Sequence, residues 1–375
     1  MMVSHEGDFD GGAEFVFHDM VLALREKWPD LDMIAVYPRE GQLAAEAARL
    51  GVRTKCALLP WWTFQHSSAI PPLIGQVLFF PGIVKLLPGI AHAVYDLLRL
   101  RPTVVLSNTM VIPSYAVAAK MLGIPHYWLV HEFGWDDHRL RFILGYRMTI
   151  RLIGRLSASV ICCSRAVENA LVAVAPMTKT HVVYPAIDDP PGTPRDRHNG
   201  EVMRAVLVGR FVQSKGQHLA VEAVGAARDA GVDIQLTLVG AGDRQPVREL
   251  ARCLGVEDLV TICGPTRDVG RYWRAAHVAL MCSDAEAFGR VTVEAMRAGL
   301  PVCGTDAGGT PEIIDPGVNG LLSPAGDADA LAANLMALES DEDLRRSLGV
   351  RAMETARPFR RDRYGDELAA VMRLC

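Results

Sequence analysis

A strand, a loop, a helix and a second strand between residues 277 and 303 constrain the fold of this chain more than any other stretch. His277 to Cys282 is short and apolar, as expected of a buried parallel strand. Arg290 to Ala298 is typical of a helix, which Gly299 and Pro301 end, and a further apolar strand follows. Such a βαβ unit belongs to a parallel sheet that binds ligands at the carboxyl ends of its strands.

Two glutamates lie beside the start of the predicted helix. Glu286 is in the loop and Glu294 is on the first turns, so the two carboxylates can hold two parts of one extended ligand. Gly289 permits close approach of the backbone, and the N–H groups of Arg290 and Val291 begin the helix, where an anion is favoured. The alternative is an ordinary βαβ unit with two solvated glutamates.

The stretch from Asp284 to Pro311 resembles the E-x7-E signature of family 4 retaining glycosyltransferases, which have the GT-B fold. The matching residues are Glu286, Phe288, Gly289, Glu294, Ala295, Gly299, Pro301 and Val302, with Ala287 in place of a common glycine. The signal is specific because residue types, spacing and predicted elements agree. The resemblance implies an α/β protein of two Rossmann-like, doubly wound parallel-sheet domains facing a cleft.

A second element, Gly209, Arg210, Lys215 and Gly216, resembles the G-R-x4-K-G element of the same family. Two cations at a strand-to-helix loop can neutralise a pyrophosphate, whereas each cation taken singly is explained by a surface salt bridge.

The resemblance also implies roles for these residues. Glu294 would bond the ribose, Glu286 the sugar hydroxyls together with backbone N–H groups of residues 288–291, and Arg210 and Lys215 the leaving diphosphate. The loop Gly264 to Asp268 would hold the base, with Arg267 nearest to it. The predicted donor-binding residues are Gly12, Gly209, Arg210, Lys215, Gly264, Arg267, Glu286, Phe288, Gly289, Arg290, Val291 and Glu294. The predicted catalytic residues are His131, Arg210, Lys215 and Glu286.

Candidate residues of the first half are fewer. The glycine pair Gly11–Gly12 precedes a predicted helix, Ala13 to Lys27, and resembles the family's G-G-A-E loop, although a plain turn explains it equally well. His131 follows the predicted strand H-Y-W-L-V and would by itself be interpreted as a structural histidine. The family has a donor-contacting histidine there, so we assign that role to His131. Glu132 and Trp135 are candidate residues of an acceptor loop.

Length and composition indicate two globular domains in a cytoplasmic protein. The chain has 375 residues, a net charge of −4 that gives no indication of nucleic-acid binding, and eight scattered cysteines without a C-x-x-C pair. The acidic start without an apolar segment predicts no signal peptide. We expect an acceptor domain at 1–190, a nucleotide-sugar domain at 200–357 and a helix crossing back to the first domain at 358–375. Asp188 to Gly200 would be the linker.

Alternating strands and helices in the first half predict a doubly wound parallel sheet. The predicted strands, after a very short first one, are Asp32 to Tyr37, Val52 to Leu58, Thr103 to Ser107, His126 to Val130, Ser159 to Cys163 and His181 to Tyr184. Prolines, Pro88 among them, are expected to divide Ala69 to Leu98 into short helices. Lys215 to Arg228 is expected to be a helix.

Two segments of the first half combine apolar and basic residues. Ala69 to Leu98 is very apolar, and Arg139 to Leu156 carries five arginines among apolar residues. Such segments can contact an anionic membrane, at the inner face in a cytoplasmic protein, or a lipid-linked acceptor. We favour a core helix with a solvated arginine face, which also suits an acceptor cleft.

We therefore expect a retaining hexosyltransferase-type enzyme that moves a sugar from a nucleotide-diphosphate sugar to an acceptor hydroxyl without a cofactor or metal. The acid pairs Asp8–Asp10 and Asp30–Asp32 mimic a D-x-D metal motif and are interpreted as solvated turns. The alternatives are a GT-B-fold sugar-nucleotide epimerase or phosphorylase, and a non-catalytic nucleotide-sugar-binding protein. The sequence leaves the sugar, base, acceptor and oligomeric state open.

Overall fold

The computed structural model describes residues 1–9, 11–64, 79–134, 140–177, 179–187 and 201–374. The chain divides into two compact units. The first consists of Met1–Ala186 together with Arg360–Cys375, and the second of Ile187–Phe359. The linker predicted at 188–200 lies outside the described residues.

The first unit is built on a parallel sheet of seven strands in the order β3-β2-β1-β5-β6-β8-β9. Strands β4 and β7 form a separate, short antiparallel pair. The strands are β1 (Met2–Val3), β2 (Ile34–Tyr37), β3 (Arg53–Cys56), β4 (Thr63–Phe64), β5 (Val105–Asn108), β6 (His126–Val130), β7 (Arg141–Phe142), β8 (Ser159–Cys162) and β9 (Thr180–Val182). The parallel sheet and the very short first strand are as predicted.

Helices alternate with these strands. They are α1 (Gly12–Lys27), α2 (Gln42–Arg49), α3 (Phe79–Leu100), α4 (Ser114–Leu122), α5 (Tyr146–Leu156) and α6 (Arg165–Val174). The prediction that Pro88 divides this segment into short helices was wrong, because Pro88 lies inside the continuous α3. Residues 69–78 of the same predicted segment lie outside the described residues. Leu86, Ala93 and Leu97 of α3 are buried, and their packing offsets the one hydrogen bond that an interior proline removes.

The second unit has a parallel sheet of six strands in the order β12-β11-β10-β13-β14-β15. Its strands are β10 (Met203–Val208), β11 (Ile234–Val239), β12 (Val260–Cys263), β13 (Val278–Met281), β14 (Val302–Thr305) and β15 (Gly320–Ser323). Its helices are α7 (Gln217–Asp229), α8 (Gln245–Cys253), α9 (Gly270–Ala275), α10 (Arg290–Arg297), α11 (Ala328–Ser340) and α12 (Glu342–Ala356).

One helix boundary of this unit was predicted wrongly. Lys215 does not begin a helix but ends a 3-10 turn, Gln213–Lys215, and α7 starts at Gln217. Gly216 between them has a φ of 66°, in the left-handed region where glycine is preferred. The turn therefore separates Lys215 from the helix and directs it into the loop.

The last helix of the chain, α13 (Arg361–Met372), belongs to the first unit. Tyr364, Leu368 and Met372 are buried in the same apolar core as Phe17 and Met20 of α1. The predicted terminal helix at 358–375 thus begins three residues later, at Arg361. Within the described ranges, no helix combines the length and apolarity needed to cross a bilayer.

Candidate active site

Lys215 and Glu286 form an ion pair at the carboxyl edge of the second sheet. Lys215 Nζ donates to Glu286 Oε2 over 2.6 Å, and the two side chains are 34% and 14% exposed. The pair forms because β10 and β13 are parallel neighbours, so the loops that follow them lie side by side. The amide of Asp284 donates to the carbonyl of Ser214 over 3.2 Å, which joins the two loops directly.

Gly216 makes this junction sterically feasible. A Cβ at Gly216 would lie 2.1 Å from the carbonyl oxygen of Cys282, well inside van der Waals contact. The Cys282 thiol beside it is fully enclosed, and this burial raises its pKa to about 12. The position needs glycine both for its left-handed backbone and for the absent side chain.

Arg210 lies in the loop after β10, with its side chain exposed and its backbone fixed. The buried Gln217 donates from Nε2 to the carbonyl of Arg210 over 2.8 Å and lies 3.4 Å from that of Gly209. Gln217 was not among the predicted site residues. Its only signal in the sequence is its place directly after the lysine and glycine of the G-R-x4-K-G element.

The loop that carries Glu286 rests on a glycine pair from the next strand connection. Gly309 donates its backbone N–H to the carbonyl of Glu286 over 2.7 Å. A Cβ at Gly308, whose φ is 59°, would lie 2.3 Å from the same carbonyl oxygen. Residues 308–309 therefore hold the backbone carbonyl of Glu286 in place. The sequence did not reveal this role.

The N-terminus of α10 completes this part of the second unit. Gly289 precedes the helix with a φ of 96°, and Arg290 and Val291 are its first residues. The first amides of a helix have no intrahelical acceptor and favour an anion. Phe288 is buried against Phe359, at a ring-centroid distance of 5.5 Å, and so anchors the preceding loop.

The remaining predicted donor residues of this unit lie on α10 and in the loop after β12. Glu294 is half-buried on α10. Gly264 follows β12, with the guanidinium Nη1 of Arg244 3.2 Å from where its Cβ would be, and Arg267 is exposed in the same loop. The roles of these residues in donor binding, like the roles of all predicted site residues, stay predictions. In the described parts of the chain, no group of three or more His, Cys, Asp or Glu residues is placed to hold a metal ion.

In the first unit, Asn108 connects the predicted residue His131 with the start of α1. Its side chain bonds the carbonyl of Ala13, next to Gly12 at the start of α1, and also Nε2 of His131 directly after β6. Glu132 is buried and accepts the backbone N–H groups of Met110 (2.7 Å) and His131 (2.9 Å). Trp135 lies outside the described residues.

The residue after Asn108 has an unusual backbone. Thr109 has a φ of 76°, in the left-handed region that costs a β-branched residue about 1–3 kcal/mol. Its amide donates to the carbonyl of Leu129 over 2.8 Å, and its carbonyl accepts Nε1 of Trp128 over 2.6 Å. Two hydrogen bonds from β6 thus hold a strained residue beside Asn108.

Comparison with known proteins finds two family models along the chain. The model "Glycosyl transferases group 1" matches residues 195–355, and "Glycosyltransferase Family 4" matches residues 10–189. Together they span most of the chain.

Among curated proteins, N-acetyl-alpha-D-glucosaminyl L-malate synthase of Bacillus anthracis is 38% identical over 125 residues, 33% of each chain. The match thus spans about one third of that relative. D-inositol 3-phosphate glycosyltransferase of Corynebacterium kroppenstedtii is 28% identical over 309 residues, 69% of this chain and 68% of the relative. Among solved structures, HepE of Anabaena in complex with UDP superposes with a TM-score of 0.78 at 20% identity. That superposition covers 100% of this chain and 99% of HepE.

Proposed function

Since the chain belongs to glycosyltransferase family 4 and has the GT-B fold, we propose that it transfers a sugar from a nucleotide-diphosphate sugar to an acceptor hydroxyl with retention of anomeric configuration. The observation that carries the proposal is the Lys215–Glu286 ion pair beside the N-terminus of α10. It places a cation, a carboxylate and helix amides at adjoining loops of one sheet edge, where α/β proteins bind ligands.

The donor binds the second unit in this proposal. Lys215, Arg210 and the first amides of α10 hold the diphosphate, because cations and helix N-termini both favour phosphate oxygens. Glu286 accepts hydrogen bonds from sugar hydroxyls, and Glu294 from the ribose. The loop after β12, with Gly264 and Arg267, holds the base. UDP is the first nucleotide to test, because a structure of HepE contains it.

The reaction breaks the bond between the anomeric carbon and the diphosphate oxygen, and forms one from that carbon to the acceptor oxygen. Attack from the leaving-group face retains the configuration, and the acceptor proton passes to the departing phosphate oxygen. Negative charge grows on the diphosphate, and fixed cations and N–H groups stabilise it without reorganisation. In this scheme neither glutamate forms a covalent bond to the sugar, and no metal is required.

The test is donor turnover with candidate acceptors in the presence of EDTA, with the anomeric configuration of the product determined by NMR. We expect undiminished transfer and a retained configuration. Loss of activity in EDTA that manganese restores, or an inverted product, would reject the mechanism. Conversion of the donor to an epimer without an acceptor would instead identify an epimerase, and formation of a sugar phosphate that requires added inorganic phosphate would identify a phosphorylase.

For the first unit we propose acceptor binding, with His131 contacting the transferred sugar. We propose further that this unit touches an anionic membrane surface. On α3, Val84, Leu87, Tyr95 and Leu98 are exposed at helical spacing, and on α5 three exposed arginines, Arg147, Arg151 and Arg155, recur every fourth residue. An apolar face near basic charge binds anionic lipid.

Co-sedimentation with liposomes at low and moderate salt tests the membrane proposal. Binding to anionic vesicles that weakens with salt is expected. Absence of binding even at low salt would leave these surfaces to a soluble acceptor.

A further inference from the structure

His131 and Asn108 share a short hydrogen bond at the carboxyl ends of two paired strands. Nε2 of His131 lies 2.7 Å from Oδ1 of Asn108. Asn108 is the last residue of β5 and is fully buried, and His131 follows the last residue of β6, its parallel neighbour. The contact is thus set by the register of the sheet.

The orientation of the Asn108 amide is fixed by its second partner. Nδ2 of Asn108 donates to the carbonyl oxygen of Ala13 over 3.1 Å, and only the NH₂ group can face a carbonyl. Oδ1 therefore faces the imidazole. Because an amide oxygen can only accept, Nε2 of His131 must carry a proton, and the neutral ring has its lone pair on Nδ1.

The surrounding backbone holds this arrangement in place. Thr109, next to Asn108, is kept in its left-handed conformation by hydrogen bonds to residues of β6. Glu132 binds the amides of Met110 and His131, one from each strand end. Strained backbone that is held by several bonds is typical of functional sites.

We propose that Asn108 is the positioning residue for His131, fixing its ring orientation and its Nε2–H tautomer. This inference rests on the proposed function, which gives His131 a contact with the transferred sugar. Asn108 also ties His131 to the start of α1, so the Gly11–Gly12 loop and the histidine share one support.

The tautomer can be measured without any activity assay. ¹⁵N-histidine labelling and long-range ¹H–¹⁵N correlation spectra report which ring nitrogen of each histidine carries the proton, and an H131Q variant assigns the signal. We expect His131 in the Nε2–H form in the wild type and a mixture of tautomers in N108A. A wild-type His131 in the Nδ1–H form, or an N108A spectrum identical to that of the wild type, would overturn the proposal.

Ser107→Ala is the matched control. Ser107 Oγ and Nε2 of His126 form the neighbouring hydrogen bond between β5 and β6, at 2.9 Å and equally buried. Burial lowers the pKa of His126 to about 3, so that ring is neutral. S107A removes a buried bond between the same strands without touching His131. A merely structural role for Asn108 would make the two variants alike in turnover and in the His131 signal.

N108D serves as the conservative variant. A carboxyl oxygen of aspartate can accept from Nε2 in either protonation state, as the amide oxygen does. We expect N108D to restore the Nε2–H signal and to exceed N108A in turnover. Failure of N108D to restore the signal would contradict the proposed hydrogen-bond geometry.

Kinetics supply the second readout. N108A is expected to lower kcat by up to about 100-fold, as small displacements of a contacting group can do, with UDP affinity unchanged. Equal loss in S107A would overturn the positioning role. Absence of transfer by the wild type with every donor would count against the proposed function alone, since the tautomer measurement would stand.

Discussion

Lys215 donates a 2.6 Å hydrogen bond to Glu286, so two predicted catalytic residues from different loops neutralise each other. The pair is part-exposed, and such pairs contribute at most about 1 kcal/mol. A diphosphate that approaches Lys215 can therefore displace the carboxylate at little cost. The same exchange would free the Glu286 carboxylate to accept hydrogen bonds from sugar hydroxyls. Binding of the diphosphate at Lys215 would thus promote binding of the sugar at Glu286.

Glu286→Gln tests this exchange. The amide cannot pair with Lys215 as a carboxylate does, so UDP affinity should hold or rise, while turnover should fall about 100-fold because the sugar is held less well. Calorimetry with UDP and steady-state kinetics measure the two effects. Glu249→Gln, which removes an exposed carboxylate of α8, is the control. A parallel loss of UDP affinity and turnover in E286Q would show that Glu286 contacts the nucleotide instead.

Lys215→Ala and Arg210→Ala should each lower turnover by about 10²–10³-fold, the typical cost of losing one charge-stabilising donor. Both side chains are at least partly exposed, so the free energy of unfolding should change by only about 0.5 kcal/mol. Kinetics and thermal unfolding report the two quantities. Arg351→Ala, at an exposed ion pair on α12, should leave both unchanged. Wild-type rates in K215A would refute its assignment to the diphosphate.

Gly308→Ala should impair catalysis through Glu286. Gly317 is the matched control, because both glycines have positive φ values of 59° and 77°, and a Cβ at Gly317 meets nothing within 4 Å. Each alanine adds about 1–2 kcal/mol of backbone strain, but only G308A forces the Glu286 carbonyl to move. Melting temperatures and turnover of both variants, compared directly, isolate the contact. Similar turnover in the two would mean that this contact does not position Glu286.

Gln217→Leu should destabilise the second unit by about 1–3 kcal/mol, because the carbonyl of Arg210 loses its buried donor. UDP should also bind more weakly, since the Arg210 loop is no longer held. Denaturant unfolding and calorimetry are the measurements. Gln245→Ala, an exposed glutamine on α8, should change stability by only about 0.5 kcal/mol. Unchanged UDP affinity in a destabilised Q217L would assign Gln217 to stability alone.

Cysteine reactivity should follow burial. Cys56 and Cys253 are exposed, whereas Cys162, Cys163, Cys282 and Cys303 are buried. Burial raises the pKa of Cys282 to about 12, so almost no thiolate, the reactive form, exists at pH 8. Timed N-ethylmaleimide labelling and peptide mass spectrometry should find the exposed pair modified first in the native protein. Labelling of Cys282 as fast as Cys253 would contradict the described packing of the second unit.

The sequence predicted those parts of the site that depend on local pattern. The βαβ unit around Glu286 was predicted correctly as strand, loop and helix. Its elements follow from apolar periodicity and from the glycines and prolines that end each of them. Gln217, Gly308 and Asn108 were missed because their roles arise from contacts between segments far apart in the chain. A buried glutamine or asparagine has no periodic signal, and a glycine that supports another loop resembles any turn glycine.

The two wrong local predictions have a related cause. Gly216 fell within the helix predicted from Lys215 to Arg228. The close approach of Gly216 to the carbonyl of Cys282 is visible only in three dimensions. Proline disfavours the interior of a helix, but at Pro88 the packing of the apolar face of α3 outweighs this preference.

Because α13 completes the first unit, that unit needs residues that are synthesised after the whole second unit. The ribosome finishes Ile187–Phe359 before it releases Tyr364, Leu368 and Met372, which pack with Phe17 and Met20. Domains generally fold as units while the chain emerges. The first unit therefore cannot complete its apolar core until α13 has been synthesised. A premature stop after Phe359 would destabilise the first unit, although the deletion lies at the other end of the chain. A chaperone that binds exposed apolar segments would bind them on the nascent first unit.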